Sequence, residues 1–177
     1  MALVRDEQLL KLDFAIPGPS EARTVLMTSE IADLICGPWP DSVMGDRCAR
    51  LRANLETFLA GARMTVCWAP YKGRDHHQLG RLHPIGDGVW DLRSVDPSPG
   101  LRLFFCLAEK DVMIVFICSP RSVPVPWLQR PPLGARQSKL WKQAQSECKR
   151  QWKHIFPAHT PLVSENPDDC ISNTVIA

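Results

Sequence analysis

The chain is 177 residues long, 45% hydrophobic and 23% charged, with a formal net charge of +2. That length suits one domain of ordinary size, and the composition is that of a folded globular chain, not a disordered one. The longest apolar run, residues 112–118, is seven residues, far short of the roughly 20 a membrane helix needs, so a spanning helix is excluded.

Arg5, Asp6 and Glu7 interrupt the stretch where a signal peptide would be continuously apolar, so a cytoplasmic location is expected. Residues 1–19 end in Ile16-Pro17-Gly18-Pro19 and read as an N-terminal arm. Ser20 is placed to cap a helix running to about Cys36, with Val25, Met27, Ile31, Leu34 and Ile35 as its apolar members. Gly37-Pro38-Trp39-Pro40 ends it. A second helix is expected over 42–60, where Met44, Cys48, Leu51, Leu55, Phe58 and Leu59 recur at intervals that form one buried stripe.

The period then changes. Residues 64–68 are a short β-prone run, and 71–78 a polar loop. Three strands fit 89–93, 101–107 and 112–118, and their short connections make them antiparallel neighbours. The last of them is apolar on both faces, which places it centrally or under helices. Prolines 120, 124, 126, 131 and 132 stiffen the passage to a third helix at 133–156. The stripe of that helix is Leu140, Trp141, Ala144, Cys148, Trp152, Ile155 and Phe156, expected to pack on the chain's own core with the lysines outward. Residues 157–177 read as a flexible acidic tail. The fold expected is therefore α+β: a four-stranded, mainly antiparallel sheet packed on two N-terminal helices, with a long C-terminal helix, as one domain over 20–156.

Charge is unevenly distributed. Residues 130–156 carry 7 basic and 1 acidic side chains, whereas 157–177 carry three acids and no Lys or Arg. The basic segment points to a polyanionic partner or to a solvated helix face. The seven cysteines are scattered without a C-x-x-C and read as reduced thiols. Cys67, Cys106 and Cys118, on strands, read as small buried hydrophobes.

Alternation along the strands puts Trp90 and Leu92 on one side of the sheet, with Leu101, Leu103, Phe105 and Leu107. It leaves Asp91, Arg93, Arg102, Phe104 and Cys106 on the other, expected to be open, with Arg121 at its rim. Guanidiniums fixed on a sheet suit phosphate, since each offers a planar fork of donors; ion pairing with Asp87, Asp91 or Asp96 is the alternative.

The segment 79–121, with GDGVWDLRS and GLRLFFCLAEKDVMIVFICSPRS, resembles the RelE/ParE toxin superfamily, particularly its HigB-like and phage-derived branch. The residues that carry the likeness are Gly88, Trp90, Leu92, Arg93, Arg102, Phe104 and Arg121, and the helix at 42–60 stands where the family places one before its strand meander. The resemblance implies a toxin of a type II toxin–antitoxin system or mobile element, cutting messenger RNA on the ribosome and held by a cognate antitoxin; other members poison gyrase. Arg93, Arg102 and Arg121 would then bind the reacting phosphate, with His76, His77 and His83 as the acid/base candidates nearest in sequence and His83 in the catalytic role. RNA would also meet Tyr71, Lys72, Arg74, His76 and His77 on the polar loop and Lys142, Lys149 and Lys153 on the last helix. His76-His77 beside Asp75 is too compact to close a metal site, so neither metal nor cofactor is expected. Ribonuclease members often carry lysines in the first meander strand, where this chain has Val89 and Asp91. That departure supports the alternative, a non-catalytic protein that binds nucleic acid or a protein partner through its basic surface.

Overall fold

The computed structural model describes residues 9–12, 23–38, 42–66, 81–93, 101–120 and 133–176. Its frame is an eight-stranded mixed sheet, not the four-stranded antiparallel one the sequence pattern implied. In chain order the strands are β1 (Leu9–Lys11), β2 (Thr24–Thr28), β3 (Met64–Val66), β4 (Arg81–Gly86), β5 (Val89–Arg93), β6 (Leu101–Glu109), β7 (Val112–Pro120) and β8 (Thr174–Ile176). Across the sheet they run β1-β2-β7-β6-β5-β4-β3-β8. The β4-β5-β6-β7 meander is antiparallel, whereas β2 lies parallel to β7, and β3 lies parallel to both β4 and β8.

Helices cover both faces. On one side α1 (Ser29–Cys36) and α2 (Ser42–Leu59) bury Ile31, Ile35, Cys48, Leu51, Leu55 and Phe58 against Trp90, Leu92, Leu103 and Phe105. On the other, α3 (Leu133–Ile155) lays Ala144, Cys148 and Trp152, with Phe156 just beyond its end, on Val89, Phe104, Cys106, Ile114 and Phe116. A sheet covered on both sides loses its polar face. This is why β6 is buried at every position from Leu101 to Leu107, and the face expected to be open is closed.

Three departures from the expected elements have local causes. The helix expected from Ser20 is instead β2 followed by α1. Val25 and Met27 are fully buried at a spacing of two, which puts both on one face of a strand but on nearly opposite sides of a helix, and parallel pairing with β7 fixes the strand. Strand β4 passes unnoticed in the sequence because it contains Pro84. The register shifts between Pro84 and Gly86, and such a bulge tolerates the missing amide donor. The tail expected to be flexible instead runs through α4 (Pro167–Cys170) into β8, with Cys170 and Ile171 fully buried.

What holds the tail is a buried arginine. Arg23 donates from Nε to Asp111 Oδ1 at 3.2 Å and from Nη1 to the carbonyls of Phe58 (3.1 Å) and Ala62 (3.0 Å), while Nη2 donates to the carbonyl of Ser172. Its guanidinium carbon stands 4.9 Å from the centre of the Phe58 ring. Asp111, at φ 65° in the β6–β7 turn, accepts a second bond from Ser172 N at 2.8 Å. The hub ties β2, α2, the hairpin turn and the tail together. In the β4–β5 turn, Gly88 (φ 74°) lies so close under the tail that a Cβ there would meet Pro161 at 3.0 Å.

Candidate functional site

The meander register sets the polar residues in rows. Residues directly opposite in an antiparallel pair share a face, so Arg93, Arg102 and Ser119 form one row across β5, β6 and β7. The adjacent row is His83, Asp91, Phe104 and Ile117. Both lie on the face that α3 covers, and they divide it: polar at this end, and apolar where Val89, Cys106 and Ile114 meet Cys148 and Trp152.

Asp91 is the centre of the polar end. Its side chain is fully buried, and it accepts from Arg93 Nε at 3.4 Å, from Trp141 Nε1 at 3.2 Å and from Arg102 Nη1. Arg102 is 4% exposed, and its Nε has no hydrogen-bond partner among the described residues. The arginines thus meet the acid that was the alternative to phosphate, and α3 closes over them with Trp141 as the contact. The expectation that Arg93 and Arg102 would lie on an open face is corrected accordingly. His83 is buried, 4% exposed, in the row beside Asp91. Arg121 and the loop residues Tyr71, Lys72, Arg74, His76 and His77 lie outside the described residues.

The three lysines expected to meet RNA are where the sequence put them, on the outer side of α3. Lys139, Lys142, Lys149, Arg150 and Lys153 are all exposed. At 3.6 residues per turn they fall within an arc of about 100°, opposite the stripe of Trp141, Ala144, Cys148 and Trp152. Against six Lys and Arg the helix has one acid, Glu147. Arg150 grips Glu147 through Nε (2.8 Å) and Nη2 (2.5 Å), which, with the Gln151 amide, holds that carboxyl down at about 2. Lys149 Nζ reaches Asp87 Oδ2 at 2.7 Å, and both partners are about half exposed.

The helix is secured by polar as well as apolar contacts. Gln145 Nε2 donates to the carbonyl of Ile85, and Trp152 Nε1 to that of His159 at 2.8 Å. The Cys148 thiol hydrogen-bonds to Cys106, and that bond, with burial, pushes its pKa far up. Burial likewise pushes Cys118 to about 12, so these thiols behave as small hydrophobes and not as nucleophiles.

Among the described residues no three His, Cys, Asp or Glu side chains are grouped to hold a metal ion, and no helix is long and apolar enough to cross a membrane. Compared with protein-family models, curated proteins and solved structures, the chain matches none.

Proposed function

We propose that this protein binds RNA, without cutting it, through the outward face of α3. The carrying observation is the segregation of five exposed cations into one stripe on a helix whose opposite side packs Ala144, Cys148 and Trp152 on the sheet. From Lys139 to Lys153 the stripe extends about 21 Å at 1.5 Å per residue, comparable to the rise of about six nucleotides at 3.4 Å per strand. Mobile lysine ammoniums on a rigid helix suit contact with successive phosphates, which fixes affinity without reading sequence. The choice of RNA over DNA rests on the resemblance of residues 79–121 to RelE/HigB-like proteins. The experiment is ultraviolet cross-linking to a 4-thiouridine oligonucleotide followed by peptide mapping. Cross-links concentrated in 139–153 support the reading; cross-links confined to other segments, or none, reject it.

One observation favours a second reading, messenger-RNA cleavage by a toxin with a cognate antitoxin. The resemblance groups Arg93 and Arg102 as functional, and they stand directly opposite each other on β5 and β6. Against it, both guanidiniums are committed to Asp91 beneath α3. Induced expression scored for growth arrest and cut transcripts decides: arrest that is lost with Arg102→Lys speaks for cleavage.

A further inference from the structure

We propose that Cys106 on β6 and Cys148 on α3 form a thiol–disulfide site, oxidised by a small-molecule disulfide to a bond that fastens α3 to the sheet. This goes beyond the RNA reading and does not depend on it, because neither sulfur belongs to the lysine stripe.

Placement makes the case first. Cys106 is paired with Val89 on one side and Ile114 on the other, so it stands in the middle of the apolar part of the α3-covered face. Cys148 lies one helical turn from both Ala144 and Trp152, at the centre of the stripe that rests on that face. Both residues are fully buried in the same cluster, and their thiols hydrogen-bond to each other across the helix–sheet contact. Thiols in such contact already point at one another, which is the condition a disulfide sets on two cysteines from separate elements.

The surroundings make the case second. The cluster around the pair is apolar and includes Val89, Phe104, Ile114, Phe116 and Trp152. A thiolate is disfavoured there, which keeps the reduced pair inert while α3 is seated. A disulfide is neutral and apolar, so it places no charge in the cluster. Oxidation therefore begins when α3 lifts. The Cys148 thiol, then in water, loses its proton; its sulfur attacks the small disulfide, breaks that S–S bond and releases one small thiolate. The Cys106 thiolate next attacks the Cys148 sulfur of the mixed disulfide and releases the second. The protein thiols give up two electrons, the small disulfide is reduced to two thiols, and the two protons pass to them. The new bond closes a loop of about 40 residues that includes the proline passage, and so restricts the unfolded chain.

The probe is oxidised glutathione on the full chain, quenched with acid and an alkylating agent, then followed by non-reducing peptide mapping and by thermal unfolding. The main product should be an intramolecular Cys106–Cys148 linkage, formed faster in sub-denaturing urea as α3 opens. The linked protein should melt about 5–15 °C higher, and dithiothreitol should reverse the shift. Cys148→Ala should lose both the linkage and the shift. Cys118→Ala should keep both, since Cys118 packs with Cys48 on the other side of the sheet. The mapping is made on the parent and needs no variant to fold. A parent without the Cys106–Cys148 linkage, or one whose linked form melts no higher than the reduced form, overturns the proposal.

Discussion

Reversing charge at Lys142, Lys149 and Lys153 is the sharpest perturbation of the α3 stripe, because all three are exposed and none contributes to the helix's buried side. If each of the five outward cations meets one phosphate of a single strand, the log–log salt slope is about −3.5, at about −0.7 per contact. Between 50 and 200 mM salt the parent should then lose about 100-fold in affinity. With two cations left the slope falls to about −1.4 and the loss to about 7-fold. The gap between parent and variant should therefore narrow by more than tenfold as salt rises. Fluorescence anisotropy with a labelled twelve-nucleotide RNA measures both slopes. The fold should survive: among the described residues the ion pair lost is Lys149–Asp87, an exposed contact worth about 1 kcal/mol at most. A variant that keeps the parent's slope while binding more weakly would refute the reasoning, since phosphate contacts cannot be removed without releasing fewer counterions.

Arg102→Ala should destabilise by about 3–5 kcal/mol, because it leaves Asp91 buried with half its pairing; urea unfolding should show this, against the small change expected of a residue on an open face. Arg23→Met should cost a similar amount, since the carbonyls of Phe58, Ala62 and Ser172 lose their donor together, and hydrogen exchange should quicken first at residues 170–176. For Glu147 the folded pKa is held below the ordinary value, so any stabilisation from its pairing is present above that ordinary value and lost as pH falls toward about 2. Arg150→Ala should return the carboxyl to the ordinary range in an NMR titration.

The residues themselves determine the local elements with a long single period. The stripe of Cys48, Leu51, Leu55 and Phe58 becomes α2, and that of Ala144, Cys148 and Trp152 becomes α3, each burying the side its spacing defines. Alternation in β5 and β6 correctly separates Trp90, Leu92 and Leu103 from Asp91, Arg93 and Arg102. The helical period of α3 likewise leaves its lysines facing water. What alternation cannot carry is which of the two sheet faces a distant helix will cover. Arg93 and Arg102 read as exposed because a charged row ordinarily faces solvent; the acid that neutralises them and the indole that covers them come from Asp91 and from Trp141, 50 residues away. The same limit applies to β1, β2, β4 and β8. Each is three to six residues long, too short for a period to declare itself, and each is a strand because a neighbour offers it hydrogen bonds. The sheet's width, its parallel pairings and the closure of its arginine row are therefore long-range packing outcomes, set by burial and pairing between segments that no local pattern brings together.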